Sequence, residues 1–513
     1  MISCAATNSP CQFNLHKMTN KGLSYDGAVC LDGSDAAFYI HRGSNAKTNS
    51  WLMFLSGGDV CESVELCTTR ALSHLGSNRD WPATMDMSDQ GGPLSLDCYH
   101  NPDFCEFNIV IAQYCDGFSF AGEQASPAVA TPGHGLTSIY FRGRRILQAM
   151  LDTFVSDYGF ASATEFVLMG GSAGAMASMF SADWVHDKVK ALAPNLLKYR
   201  VVPFSGYFIS DPTIEGIPHL GQRIEAAYNL HGATTGVDAD CAATESLPWR
   251  CGMSEINYHY IDSPIFLHNA VADGYATRVN YLTGTVAGIT WPGWAQWPAW
   301  VSCALYLDQC TNDQTVILNT YQDRTMELLR AAPTYSKVGN GAFLHSCWNL
   351  HGEAKNNTLW NTIAVPQKDN KYIKTMQEAT SLWWNSDGTD PAADHTYEPC
   401  KWNTEGAPRN CNPTCIGGDY PSLSPPPPAA DAGGDAGVAI GVSLGIVALL
   451  ALVCYLVLLF QQGRQASQNN SRFEGRQACR DTESAAVATP AGVADEALTG
   501  AARERGVVRC ERV

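Results

Sequence analysis

Three short stretches of this chain carry a hydroxyl, a carboxylate and an imidazole in an order that acyl-transfer chemistry can use. Met169-Gly170-Gly171-Ser172-Ala173-Gly174 has the form G-x-S-x-G and ends the apolar run Glu165-Phe166-Val167-Leu168-Met169. Small residues around the serine let the backbone turn sharply from a strand into a helix, which presents the hydroxyl clear of its neighbours. Asp273 lies just past a second apolar run, Pro264 to Asn269, and Ser346-Cys347 is followed by His351. A serine hydroxyl is a weak nucleophile at neutral pH. It needs a base such as His351 within hydrogen-bond reach, with Asp273 holding the imidazole. Attack on an ester carbonyl builds an oxyanion, which main-chain N–H groups stabilise by roughly 3–4 kcal/mol each. Ala173, next after the serine, offers one such N–H, and the turn Gly57-Gly58-Asp59 offers those of Gly58 and Asp59. His345 and Asp262 are the rivals of His351 and Asp273. Asp262 precedes its apolar run, and His345 falls inside a strand-like one.

The elements around these residues read as alternating strands and helices. Trp51 to Leu55, Asn108 to Ala112, Phe166 to Met169 and Pro264 to Asn269 are continuously apolar, as strands covered on both faces of a parallel sheet must be. Phe141 to Phe154, Asn312 to Arg330 and Tyr372 to Trp384 carry apolar residues at helical spacing. The pattern predicts an α/β fold, a mostly parallel sheet flanked by helices, with the chemistry at the carboxyl ends of the strands. The segment Thr285 to Leu305, with Trp291, Trp294, Trp297 and Trp300, reads as an irregular insertion beside the site.

Composition sets the surroundings. At 513 residues and 45% hydrophobic content the chain can build a large core, and its net charge of −17 excludes a nucleic-acid-binding body. Sixteen of the 19 cysteines precede residue 416, and no Cys-x-x-Cys pair occurs among them. That distribution predicts disulfides in an oxidising compartment rather than a zinc site, so no metal and no cofactor are expected. Gly437 to Phe460 is free of charges and long enough to cross a bilayer. Asp431 and Asp435 precede it and Arg464, Arg472, Arg476 and Arg480 follow it, which orients the span as a type I anchor with the acidic body outside or in a lumen. Met1 to Thr7 shows no apolar stretch of a signal peptide, so either the start is incomplete, the reading favoured by the cysteine count, or the span itself directs insertion. Asn356-Asn357-Thr358 fits a glycosylation acceptor.

Several blocks together resemble the pectin acetylesterase family, which also contains the Notum carboxylesterases. They are Ala28-Val29-Cys30-Leu31-Asp32-Gly33-Ser34, Trp51 to Gly58, Tyr114 to Gly122, Phe141 to Ile146, the serine turn, Ser346-Cys347 and Cys411-Asn412-Pro413-Thr414-Cys415. The resemblance implies a disulfide-braced α/β-hydrolase fold, secretion, no metal, Ser172 as nucleophile, Asp273 as the orienting acid and a histidine after Cys347 as base. Three departures stand out. The family's Ser-Cys-x-x-His would put the histidine at position 350, where Leu350 stands and His351 follows. Its glutamate before the glycine pair is Ser56 and its aromatic after the pair is Asp59. Ala175 replaces a second glycine after the serine.

These features divide the chain into an N-terminal segment (1–21), a catalytic body (22–416), a Pro/Gly/Ala-rich stalk (417–436), a transmembrane helix (437–460) and a disordered cytoplasmic tail (461–513). The expected protein is a monomeric, membrane-anchored serine esterase that removes acetyl groups from polysaccharide. A Notum-like enzyme cleaving a fatty acyl group from protein is one alternative, with the tryptophan-rich segment lining a deep pocket. A catalytically inactive, glycan-binding ectodomain is the other.

Overall fold

The computed structural model describes residues 12–18, 27–87, 91–213, 216–281, 285–286, 289–290, 303, 307–348, 355–368, 373–405 and 411–415. His351, the four tryptophans at 291–300, the stalk, the 437–460 span and the tail lie outside the described residues. The chain divides into Met1–Pro425 and Pro426–Val513, and all described residues belong to the first unit. No described helix is long and apolar enough to cross a membrane.

A ten-stranded sheet forms the centre. Its strands are β1 (Gln12–Lys17), β2 (Ala37–His41), β3 (Ser50–Leu55), β4 (Thr84–Asp86), β5 (Asn108–Ala112), β6 (Glu165–Gly171), β7 (Lys198–Phe204), β8 (Phe266–Ala270), β9 (Gly341–His345) and β10 (Thr396–Tyr397). Their spatial order is β10-β9-β8-β7-β6-β3-β5-β2-β1-β4. The strands from β10 through β5 run parallel, and β2, β1 and β4 extend that sheet antiparallel. The four apolar runs read from the sequence are β3, β5, β6 and β8, neighbours or near neighbours in the parallel part.

Continuous apolarity follows from the two covered faces. Trp51, Met53 and Leu55 of β3 and Phe166 and Leu168 of β6 pack on one side. Leu52, Phe54, Val167 and Met169 pack on the other. Helix α1 (Val64–Arg70) follows the turn after β3. Helices α2 (Gly143–Tyr158), α3 (Ala173–Phe180), α4 (Ala182–Leu192) and α5 (His219–His231) cover the first face. Later in the chain come α6 (Gly274–Tyr281), α7 (Asn312–Ala331) and α8 (Met376–Asn385). Met376, Ala379, Trp383 and Trp384 of α8 cover the second face. Local signals set helix ends. Gly159, at φ 72°, closes α2 with its N–H on the Phe154 carbonyl, and Thr311 with Gln314 makes a reciprocal capping box at the start of α7. The helix expected from Tyr372 begins later, at Met376, because Ile373–Thr375 pairs as a strand with Ala364–Pro366.

Among the described residues, fourteen cysteines form seven disulfides: Cys30–Cys115, Cys61–Cys67, Cys98–Cys105, Cys241–Cys251, Cys303–Cys310, Cys347–Cys415 and Cys400–Cys411. Cys4 and Cys11 lie outside the described residues. Asn356 is exposed, and its side-chain oxygen caps a short helix by accepting from the Leu359 N–H at 3.0 Å.

Candidate active site

β6 ends at Gly171 and α3 begins at Ala173, which leaves Ser172 alone on the turn at φ 55°, ψ −123°. A non-glycine residue held there stores roughly 1–3 kcal/mol of strain and persists only where its surroundings fix it. Here the Ser172 N–H donates to the Phe204 carbonyl at 2.9 Å, and the Ser172 carbonyl accepts from the N–H groups of Ala175 and Met176. The flanking glycines are sterically required. A Cβ on Gly170 would sit 2.0 Å from the Gly174 oxygen, and one on Gly174 would sit 1.9 Å from the Leu55 oxygen. α3 is thus pressed onto the end of β3, and the G-x-S-x-G pattern records that contact.

The turn after β3 lies against the elbow. A Cβ on Gly57 would meet the Gly171 oxygen at 2.5 Å and the Ala173 nitrogen at 3.2 Å. Tyr114 Oη donates to the Asp59 carbonyl, and Arg70 Nη1 donates to the Gly58 carbonyl. The N–H groups of Gly58, Asp59 and Ala173 donate to no acceptor among the described residues. Carbonyls tied back and amides left unspent are what an oxyanion site requires.

The Asp59 side chain does not add an uncompensated charge. Its φ of 61° turns the residue out of the strand direction. Tyr275 Oη donates to Asp59 Oδ1, and Arg223 Nη2 lies 3.6 Å from the same oxygen. Arg223, buried in α5, also donates to Glu62 (Nε to Oε1, 3.0 Å), to the Val60 carbonyl (3.2 Å) and to Tyr275 Oη (3.1 Å). Burial first, and the Asp59 charge second, push the Tyr275 phenol above its ordinary range, so it stays a donor.

Asp273 is buried between the end of β8 and the start of α6. Its Oδ1 accepts from the N–H groups of Tyr275 (2.8 Å) and Ala276 (3.0 Å), so the carboxylate sits at a helix N-terminus, where negative charge is favoured. The same two residues of sequence, Asp273 and Tyr275, therefore link the expected acid to the Asp59 turn. Asp262, at the other end of β8, is exposed and paired with Lys337 at 2.8 Å.

After β9, the Cys347–Cys415 disulfide and a Trp402 Nε1 bond to the Ser346 carbonyl (2.9 Å) fix the chain at Ser346 and Cys347. His351 itself lies outside the described residues. His345 is in β9, fully buried on the Phe343 side of the sheet, and burial lowers its imidazole to about 4. It does not line the cavity at Ser172.

That cavity is bounded by Ser172, Ala173 and Asp59 on one side and by Met176, Phe208, Leu220 and Ile224 on another, with Arg223 and Tyr275 also exposed to it. Its volume is about 20 Å³. Arg223, Tyr275 and Glu62 were not singled out from the sequence. Arg223 is 161 positions from Glu62, and Tyr275 is 216 from Asp59, so no local spacing announces them. One trio among the described residues has ligand atoms within 4.8 Å of one another, Cys61, Cys67 and His231, but its two sulfurs are bonded to each other.

A serine elbow at the carboxyl edge of a mostly parallel, helix-covered sheet places the chain in the Notum-like α/β class of folds. Its backbone superimposes on the Wnt deacylase Notum from Drosophila with a TM-score of 0.59 at 22% identity, over 79% of this chain and all of that one. The family model for pectinacetylesterase matches residues 9–407, and the chain belongs to that family. It is 29% identical over 389 residues to pectin acetylesterase 5 of Arabidopsis thaliana, which covers 76% of this chain and 82% of the relative. It is 27% identical over 274 residues to the palmitoleoyl-protein carboxylesterase NOTUM of Drosophila melanogaster, covering 52% of this chain and 39% of the relative.

Proposed function

We propose that this protein is a serine esterase that removes short acyl groups, acetyl foremost, from polysaccharide. The observation that carries the reading is the Ser172 elbow, which lines a mainly apolar cavity beside three main-chain amides that meet no acceptor among the described residues. In this reading His351 takes the Ser172 proton as the oxygen attacks the ester carbonyl. The amides of Gly58, Asp59 and Ala173 hold the oxyanion, and collapse of the intermediate expels the alcohol and leaves an acyl-serine. Water activated by His351 then releases the acid, and Asp273 keeps the imidazole in the working tautomer. The cavity's mainly apolar lining, with Met176, Phe208, Leu220 and Ile224, suits an acyl group. Ser172→Ala should lower hydrolysis of 4-nitrophenyl acetate by on the order of 10⁴–10⁶-fold. Turnover unchanged in that variant would refute the assignment, as would failure of a fluorophosphonate probe to label the wild-type serine.

The body would work outside the cytoplasm, anchored through residues 437–460. The seven disulfides support the oxidising compartment. Expressed in full in a eukaryotic cell, the chain should resist alkaline extraction from membranes, and a deletion of 437–460 should be released. Wild-type chain recovered in the alkaline supernatant would remove the anchor from the proposal.

A further inference from the structure

Three consecutive carbonyls in the turn after β3, those of Gly58, Asp59 and Val60, are each held by a side chain. Arg70 Nη1 donates to Gly58, and Tyr114 Oη donates to Asp59 at 2.5 Å. Arg223 Nη2 (3.2 Å) and Arg70 Nη2 (3.4 Å) both donate to Val60. The first of these bonds bears on the chemistry. In a trans peptide the C=O and the N–H point opposite ways across one rigid plane. The Gly58 carbonyl and the Asp59 N–H share such a plane. With its oxygen held at Arg70, the plane turns its hydrogen away from Arg70. Asp59 borders the cavity at Ser172, and Arg70 does not. Arg70 is itself fixed. It ends α1, whose start is capped by Ser63 Oγ accepting from the Leu66 N–H (3.2 Å) and whose Cys67 is bonded back to Cys61 of the turn.

We propose that Arg70 is the positioning residue of the oxyanion site, orienting the Gly58–Asp59 peptide and polarising it so that the Asp59 N–H is a stronger donor. The proposal rests on the esterase reading and adds to it a residue that never touches the substrate. A guanidinium carries its positive charge at every working pH. On a carbonyl oxygen it draws electron density through the amide from the nitrogen, and hydrogen bonds in series strengthen one another by roughly 10–30% each. No anion faces the Asp59 N–H until the ester oxygen becomes one, so the strengthened bond forms in the transition state and lowers the barrier. The Asp59 carboxylate does not cancel the effect, because Tyr275 Oη and Arg223 hold it.

Three substitutions separate charge from hydrogen bonding. Arg70→Lys keeps the charge, Arg70→Gln keeps a donor without it, and Arg70→Met keeps neither. Tyr199→Phe is the control. Tyr199 is buried in β7 and donates to the Ala182 carbonyl (2.7 Å), but it lies near the start of that strand, away from the elbow. The test is the kinetics of the purified full-length protein on 4-nitrophenyl acetate, with thermal melting and fluorophosphonate labelling to show that each variant is folded. Arg70→Met should lower kcat and kcat/KM together by about 10- to 100-fold, with KM within about twofold of the wild type and the pH profile unchanged in shape. Arg70→Gln should lose less and Arg70→Lys least. Tyr199→Phe should melt lower and keep its kcat. Folded, labelled Arg70→Met with wild-type kcat, or with a raised KM alone, would overturn the proposal. A loss in Tyr199→Phe as large as in Arg70→Met would overturn it too, by assigning the effect to stability. Where Arg70→Met does not fold, the order of the other two decides, and Arg70→Gln matching or exceeding Arg70→Lys would remove the charge from the account. A wild type that is neither labelled nor active on any ester would overturn the esterase reading and the role of Arg70 with it.

Discussion

Ser172 occupies a backbone conformation that its own side chain disfavours, and Gly170 and Gly174 are what make it possible. The steric demand is local and severe, which is why the G-x-S-x-G pattern was readable from the sequence. Gly174→Ala tests it. The added carbon would fall 1.9 Å from a main-chain oxygen, so α3 must shift from β3. We expect a loss of about 1–3 kcal/mol in stability, read by thermal melting, and a loss of esterase activity larger than that fall implies, because the elbow itself moves. An active, unshifted Gly174→Ala protein would contradict the packing described for the turn. Asp59 shows the opposite case. Nothing near Asp59 in the chain points to Arg223 and Tyr275 as its partners. The contacts that turn it into a paired, oriented group span more than 150 positions, and such pairings are set by the fold rather than by local pattern.

Among the elements, continuous apolar runs were enough to find β3, β5, β6 and β8, because strands buried on both faces have no polar alternation to hide them. Of the antiparallel extension, β2 carries such an apolar run (Ala37 to Ile40) that the reading passed over, whereas β1 and β4 give no such signal. Gln12–Lys17 buries only Phe13 and carries polar residues, and Thr84–Asp86 is three residues long. The interior strands also bury imidazoles. His268 in β8 and His345 in β9 are both fully buried, and burial holds both below the ordinary histidine value, His345 at about 4. The unfolded chain takes up a proton near pH 6.5 while the folded strand does not, so the stability these residues allow is present above that pH and is lost as pH falls toward about 4. Asp116 and Glu255, each raised to about 7 by burial, act in the opposite direction, since the folded state keeps their protons as pH rises. A His345→Leu variant separates the two effects. Its melting temperature should fall less than that of the wild type between pH 7 and pH 4.5, and parallel curves would show that the His345 imidazole is not protonated on unfolding.

At the scale of the whole molecule, the disulfide bracing was legible from cysteine number and placement, but the pairing was not. Loop length gives the pairs different weights. Closing a loop of 85 residues (Cys30–Cys115) restricts the unfolded chain by about 4–5 kcal/mol, against about 2 kcal/mol for the six-residue separation of Cys61–Cys67. Cys30→Ala/Cys115→Ala should therefore lower the melting temperature more than Cys61→Ala/Cys67→Ala. The second pair should cost more in activity per degree lost, because it closes the loop that holds Glu62 against Arg223. Equal melting losses with equal activity losses would argue against both assignments. The two outer strands of the large sheet carry a further implication. β10 has two residues and β4 has three, and a rim that brief gives a neighbouring molecule almost no ladder to extend. A protein with such blunt margins can be concentrated at a crowded surface without its copies zipping together into fibres.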